Sequence, residues 1–170
     1  DTITGRIDMN KVREKALKVK PKMIIVGASA YSRDWDYIEF RKIADEIGAV
    51  LLADISHPSG LIASGLLNNP LPHCHIVTST THKTLRGPRG AMIMITKKGI
   101  DKDPELPQKI DKAVFPGLQG GPHDNQTAAI AVALHEAEEK SFKDYGKQIV
   151  KNAKALSNAL LNHNFSLTTG

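Results

Sequence analysis

Short apolar segments alternate with amphipathic helical segments along this 170-residue chain, and this alternation is the feature that most constrains its fold. An apolar run without polar alternation is typical of a strand that is covered on both faces, as in parallel sheets. The pattern therefore predicts an α/β fold, a three-layer, mainly parallel sheet flanked by helices. The predicted strands are Met23–Val26, Val50–Ala53, His75–Thr78 and Ala91–Ile95.

Helices are predicted between and after these strands. Asp36 and Glu39 resemble a capping box at the start of one helix, and Gly48 suits its end. Pro122 is well placed for the first turn of another helix. The predicted helical stripes lie in Met9–Val19, Phe40–Ile47, Ala128–Leu134 and Tyr145–Leu160, and a further strand is expected to begin at Phe165.

Composition excludes several classes of function. The net charge of +5 permits an anionic ligand but is too small and too dispersed to require nucleic acid. No apolar run approaches the roughly 18 residues of a membrane-spanning helix. The single cysteine, Cys74, excludes an internal disulfide framework and fits a reducing compartment such as the cytoplasm.

Since the chain begins at Asp1, without an initiator methionine, we expect it to be a piece of a longer protein.

Polar residues follow the predicted strands at the points where these strands end. Ligands of open α/β sheets bind beyond the carboxyl ends of the strands. We therefore expect one edge of the sheet to gather hydroxyl, carboxylate, imidazole and amine groups. The candidates are Ser29 after the first strand, Asp54 and His57 after the second, and Thr80, Thr81, His82 and Lys83 after the third.

Lys83 and Asp54 carry the most specific chemistry of this set. A lysine that is partly removed from water has a lowered pKa and forms Schiff bases with carbonyl compounds. Asp54 ends an apolar strand, where a carboxylate needs a cation or several donors. Taken singly, such residues are more often a surface charge and a strand-end cap. Together they meet the needs of pyridoxal phosphate, whose aldehyde binds an amine and whose ring nitrogen stays protonated beside an anion.

Other chemistries fit the sequence less well. Three histidines and Cys74 suggest metal ligands, but no second cysteine or carboxylate completes a familiar tetrahedral set, so no metal site is predicted. The segment 117–122 is not a Walker loop, although its glycines could offer backbone amides to a phosphate; a plain turn is the alternative. Ser29 lacks the Gly-x-Ser-x-Gly setting of many hydrolases. The histidines in question are His73, His75 and His82.

The segment Val-Thr-Ser-Thr-Thr-His-Lys-Thr-Leu-Arg-Gly-Pro-Arg-Gly, Val77–Gly90, resembles the cofactor-lysine motif of the serine hydroxymethyltransferase family. Five further segments match the same family in the same order, and the resemblance covers essentially the whole chain. They are Gly27–Ser32, Ala53–His57, Gly60–Ala63, Ala113–Gly117 and Gln119–Pro122. It implies the incomplete large domain of a fold-type I pyridoxal phosphate enzyme. Residues 1–163 would be the central part of that domain, and residues 164–170 would begin the link to a C-terminal small domain.

The resemblance also implies an activity. The family interconverts serine and glycine, with tetrahydrofolate as the one-carbon carrier, and it acts as a homodimer. By this resemblance Lys83 would hold pyridoxal phosphate covalently, and Asp54 would pair with the ring nitrogen. The other implied contacts are Ser29 and His57 beside the ring oxygen, Thr80 and His82 around the bond to Lys83, Arg89 ordering the lysine loop, and Gly120 and Gly121 near a phosphate bound mainly by the other subunit.

Two departures and three rival functions accompany this hypothesis. Ile55 and Ser56 replace a commoner Met-Ala, which places a hydroxyl near the expected cofactor face. The family's phosphate loop, ring-stacking histidine and substrate-carboxylate arginine are not in this sequence, so we expect the piece to be nearly inactive alone. The rivals are a cysteine desulfurase, an aminotransferase, and a non-catalytic module that binds RNA, for which stacking aromatics are few.

Overall fold

The computed structural model describes residues 1–169, which form a four-stranded sheet flanked by helices. This arrangement confirms the predicted α/β class with a mainly parallel sheet. The strands lie in the order β1 (Met23–Val26), β2 (Val50–Asp54), β3 (Ile76–Thr80) and β4 (Ala91–Ile95). The helices are α1 (Met9–Val19), α2 (Tyr37–Glu46), α3 (Ser59–Ala63), α4 (Lys97–Lys102), α5 (Leu106–Lys112), α6 (Asp124–Glu138) and α7 (Lys140–Asn162).

The direction of each strand follows from its connection. β1, β2 and β3 are parallel, and their pairing places Asp54 directly opposite Thr78. β4 runs antiparallel to β3, with Ala91 opposite Thr80. A parallel pair needs a long crossover, whereas the loop 81–90 between β3 and β4 contains no helix and returns the chain at once.

Local signals set the bounds of α2 as predicted. The Asp36 carboxylate accepts the Glu39 N–H at 2.9 Å and so caps the helix start. The Glu39 carboxylate does not complete the box but pairs with Lys42 at 2.8 Å. At the other end Gly48 has φ +72°, and Ala49 N–H donates to Ala44 O at 2.8 Å. This left-handed glycine closes the helix as a Schellman motif.

The core lies on one face of the sheet. Leu51, Ala53 and Val77 are fully buried there and pack with Phe40 and Ala44 of α2. The opposite face is open in part, since Met23, Ile25 and Ile93 are 40%, 67% and 45% exposed. Among the described residues, the second covering layer of the sheet is therefore incomplete.

Three sequence-based expectations are wrong. Pro122 does not lie in the first turn of α6, because this helix begins at Asp124 with His123 as its N-cap. β3 begins at Ile76 and reaches Thr80, so Thr80 ends the strand rather than following it. No strand begins at Phe165, because a helix cap captures this residue. Asn164 has φ +63°, and Phe165 N–H donates to Leu160 O at 3.0 Å. The helices α3, α4 and α5 were not predicted, since they are too short to show a helical apolar period.

The predicted boundary at residues 163 and 164 follows the end of α7 by one residue, and the division into domains stays a prediction. Gly170, the last residue of the predicted segment 164–170, lies outside the described residues.

Candidate active site

The carboxyl ends of β2 and β3 form a polar cluster around Asp54. One oxygen of its carboxylate accepts the Ser56 N–H at 2.9 Å, and the other accepts the Thr78 hydroxyl at 2.9 Å. Thr78 reaches this oxygen because it lies directly opposite Asp54 in the parallel pair. The Ser56 N–H and the Thr78 hydroxyl thus hold the carboxylate in one orientation.

These contacts keep Asp54 ionised. Partial burial raises the pKa of the carboxyl group, but hydrogen bonds from Ser56 and Thr78 and the positive charge of Lys83 lower the pKa by more. The net result is a pKa below the ordinary value of 3.8. Although Asp54 ends an otherwise apolar strand, its side chain is accessible to a ligand.

Lys83 lies close enough to this cluster for its charge to act on Asp54. Its Nζ donates to the Thr80 hydroxyl at 3.2 Å, and this hydroxyl donates to Ser56 O at 3.3 Å. The Thr80 N–H donates to the Ser56 hydroxyl at 3.1 Å. Ser56 therefore joins the end of β2 to the end of β3, and the structure brings together Asp54, Thr80 and Lys83 as predicted.

His82, which precedes Lys83 in the chain, carries an unsatisfied donor. Its Nε2 lies 3.4 Å from a guanidinium nitrogen of Arg89. A guanidinium only donates, so Nε2 accepts and the proton resides on Nδ1. That Nδ1 is buried and has no partner among residues 1–169. Since a buried donor without a partner is costly, this atom indicates a place for an acceptor that another molecule provides.

The loop 81–90, called here the lysine loop, is fixed to α3 by Thr84. Its hydroxyl donates to His57 O at 2.9 Å and accepts the Gly60 N–H at 2.9 Å. The prediction that Thr81 lies at the site is wrong. It is 1% exposed, and its hydroxyl donates to Pro88 O at 2.7 Å, which closes the loop from within.

The remaining candidates lie at the surface. Ser29 is exposed in the loop after β1. This loop crosses the Asp54 backbone closely, because a Cβ on Gly27 would lie 2.4 Å from Asp54 O. Gly120 and Gly121 are exposed between α5 and α6, with open space at both Cβ positions. Nothing in the described chain covers these two glycines.

The His–Cys segment before β3 is structural. His75 Nδ1 accepts the Leu51 N–H at 2.8 Å, and burial is the main cause that lowers its pKa to about 4. Cys74 is fully buried, and burial raises the pKa of its thiol to about 12. Within residues 1–169, no three His, Cys, Asp or Glu side chains are grouped to hold a metal ion. The helices in the same residues are all too short or too polar to cross a membrane.

Local sequence patterns did not single out Thr78, whose hydroxyl donates to Asp54, or Arg86, whose N–H donates to Lys83 O. Thr78 reaches Asp54 only through the register of two strands, which no local pattern reveals. Arg86 lies within the motif and has φ +60°, yet nothing in the sequence marks this position as left-handed.

The chain is similar to known proteins of one family. The sequence model of the family described as serine hydroxymethyltransferase matches residues 1–170. A curated serine hydroxymethyltransferase from Desulfotalea psychrophila (strain LSv54 / DSM 12343) is 53% identical over 166 residues. The match covers 98% of this chain and 37% of that protein, so the chain spans well under half of its relative's length.

Proposed function

Because this chain belongs to the serine hydroxymethyltransferase family, we propose that its protein interconverts serine and glycine with pyridoxal phosphate as cofactor and tetrahydrofolate as co-substrate. The observation that carries this proposal is the cluster of Asp54, Thr80 and Lys83 at the carboxyl ends of β2 and β3. It supplies an ionised carboxylate and a hydrogen-bonded amine at the edge where open α/β sheets bind ligands.

The residues present fit pyridoxal phosphate. Lys83 offers an amine for the aldehyde, and Asp54 offers an anion for the protonated ring nitrogen. The buried Nδ1–H of His82, which lacks an acceptor in residues 1–169, suits the oxygen-rich cofactor. In this proposal Ser29 and His57 face the ring oxygen, Arg89 orients His82, and Gly120 and Gly121 approach the phosphate from the other subunit of a homodimer.

The chain's own residues set the conditions for the reaction. Pyridoxal phosphate, when bound, supplies an electron sink for the pair released at the substrate α-carbon. The hydrogen bonds to Asp54 keep its negative charge in place at neutral pH, so this carboxylate would stabilise a proton on the ring nitrogen of the bound cofactor. Thr80 holds the Lys83 amine in one direction and donates its own proton to Ser56 O.

Among the rival functions, a cysteine desulfurase has less support. A desulfurase needs a reactive thiolate, whereas Cys74 is fully buried and burial raises the pKa of its thiol to about 12. An aminotransferase would use the same lysine and aspartate, so a measurement of products must distinguish it from a hydroxymethyltransferase.

We also propose a cytoplasmic location, which the presence of only one cysteine in this sequence suits.

Cofactor trapping on the intact protein tests the proposal. Pyridoxal phosphate is added, the adduct is reduced with borohydride, and its position is found by peptide mass mapping. We expect one adduct, on Lys83, in the wild type and in the exposed control Lys97→Arg. Lys83→Arg keeps the charge but should lose the adduct, together with about 10²-fold or more of serine turnover with tetrahydrofolate.

Each other result has a definite meaning. An adduct on a different lysine would refute the assignment of Lys83. Sulfide released from cysteine, or an amino group transferred to a keto acid, in place of glycine formed from serine would favour a rival enzyme of the same fold.

A further inference from the structure

The lysine loop is anchored near its middle to the corner between α6 and α7. Leu85 is 6% exposed and packs with Ala137 and Phe142. The guanidinium of the next residue, Arg86, lies over two rings, 5.2 Å from the centroid of Phe142 and 4.5 Å from that of Tyr145. We call Arg86, Phe142 and Tyr145 the aromatic clamp. Arg86 is exposed, and a cation over an aromatic face is attracted by the ring quadrupole at exposed sites as well.

The clamp acts where the backbone turns sharply after Lys83. Arg86 has φ +60°, a conformation that is sterically costly for a residue with a Cβ. This turn allows Arg86 N–H to donate to Lys83 O at 2.9 Å, and Gly87 N–H to donate to Thr81 O at 2.7 Å. Such a turn persists only where surrounding contacts stabilise it, and the aromatic clamp provides them.

The helix α6 leaves the loop little room to relax. A Cβ on Gly87 would lie 2.7 Å from Thr81 O and 3.1 Å from the Ala133 Cβ. Thr84, which directly follows Lys83, forms hydrogen bonds with His57 O and Gly60 N–H. Residues 84–86, which directly follow Lys83, are therefore held at two anchors, one on α3 and one on the corner of α6 and α7.

We propose that Arg86 is a positioning residue for Lys83: stacked on Phe142 and Tyr145, it holds the left-handed turn that directs the Lys83 amine towards Thr80 and Asp54. This inference rests on the proposed function, because it concerns the amine that would bind pyridoxal phosphate. Arg86 acts through the backbone of the lysine loop and needs no contact with the reacting atoms.

Four variants of the intact protein separate the contribution of the Arg86 cation from that of the Tyr145 ring. Arg86→Leu removes the charge at the same strained position, and Arg86→Lys restores a cation. Tyr145→Leu removes one ring but keeps apolar packing, and Tyr145→Phe keeps the ring. Phe142 is not varied, since it is 1% exposed and its loss would disturb the core.

The first measurement is amide hydrogen exchange of residues 84–87 in the protein without pyridoxal phosphate. We expect exchange to be about three- to tenfold faster in Arg86→Leu and Tyr145→Leu, as the strength of cation–π contacts implies. Arg86→Lys and Tyr145→Phe should remain close to the wild type. Unchanged exchange in both leucine variants would overturn the inference.

The second measurement is the rate at which added pyridoxal phosphate forms its coloured covalent bond with Lys83. We expect a rate about tenfold lower in Arg86→Leu, because a misdirected amine loses effective concentration. Arg86→Lys should recover most of this rate, and the melting temperature serves as the control for folding. Faster exchange with an unchanged bonding rate would show a merely structural role and would also overturn the inference.

The two measurements distinguish this inference from the proposed function. If the wild type forms no bond at Lys83, the proposed function fails together with the role of Arg86 towards the cofactor, whereas exchange still reports whether the clamp holds the loop. If Arg86→Leu does not fold, the pair Tyr145→Leu and Tyr145→Phe decides the matter on both readouts.

Discussion

Asp54 shows how much a single side chain depends on its neighbours. The end of an apolar strand predicted a carboxylate at the sheet edge, but not its protonation state. The structure adds the Ser56 N–H and the Thr78 hydroxyl, each at 2.9 Å from a carboxylate oxygen. These donors and the charge of Lys83 lower the pKa of Asp54 despite its partial burial. An anion is therefore available for a cationic partner throughout the neutral pH range.

The variant Asp54→Asn tests this role at nearly constant shape. Loss of the charge should weaken pyridoxal phosphate binding about 10- to 100-fold, the usual effect of removing a charged hydrogen-bond partner. Affinity is measured by titration of the intact protein. The matched control is Asp103→Asn, because Asp103 also has a lowered pKa but is held by Lys109 between α4 and α5. Equal affinities in both variants would mean that Asp54 is structural.

His75 predicts a pH dependence of stability. Burial is the main cause that lowers its pKa from 6.5 to about 4, with smaller contributions from Arg41 and Lys102. In the unfolded chain the imidazole regains its ordinary pKa, so the unfolded state binds the proton first as the pH falls. This contribution to stability is complete above pH 6.5 and is lost progressively between pH 6.5 and about 4.

Urea unfolding at pH 7 and pH 5 measures the effect. The free energy of unfolding should be lower at pH 5 in the wild type. His75→Asn keeps an acceptor for the Leu51 N–H without a titrating group, so its stability should differ less between the two pH values. The same pH dependence in both proteins would show that another group is responsible.

Among the elements, the short helix α3 matters most for the site. Its Gly60 lies so close to the lysine loop that a Cβ would be 2.5 Å from Thr84 O. The contact is between backbones, so no side-chain rotation relieves it. The sequence contains this glycine within a family-like segment, but its purpose is visible only when α3 and the loop are seen together.

Gly60→Ala should therefore displace the lysine loop. We expect the free energy of unfolding to fall by about 1–3 kcal/mol, as for other overpacked sites, and trapping of pyridoxal phosphate on Lys83 to decrease. Gly48→Ala is the control, because Gly48 has φ +72° but open space at Cβ. That control should lose about 1–2 kcal/mol from backbone strain and keep normal trapping. Normal trapping in Gly60→Ala would contradict the predicted displacement.

At the scale of the whole molecule, the partly open face of the sheet is the main feature. Met23 and Ile25 of β1 and Ile93 of β4 lie on this face, 40%, 67% and 45% exposed. The register puts Asp54 on the same face at the carboxyl edge. Exposed apolar side chains on one face of a sheet favour association between molecules.

The 170-residue chain should therefore self-associate. Sedimentation velocity should give a mean mass above the 18.5 kDa of one chain. The double variant Ile25→Thr and Ile93→Thr should lower this mass, since threonine retains a preference for strands but is more polar. A wild-type chain that sediments as a monomer at all concentrations tested would refute this prediction.

The sequence by itself determined the helices α1 and α2, the strands β1, β2 and β4, and the placing of Lys83 and Asp54 near strand ends. These features depend on apolar periodicity, caps and turn residues, which act between near neighbours in the chain. The family motif added a hypothesis for the chemistry of these two residues.

Only the tertiary structure decided the features that join distant segments. It set the antiparallel direction of β4, the pairing of Asp54 with Thr78, and the stacking of Arg86 on Phe142 and Tyr145. It also placed Thr81 inside the loop and Phe165 in a helix cap. The physical reason is that register, close backbone contacts and side-chain packing depend on which surfaces meet in the folded chain, and local sequence patterns carry no information about that.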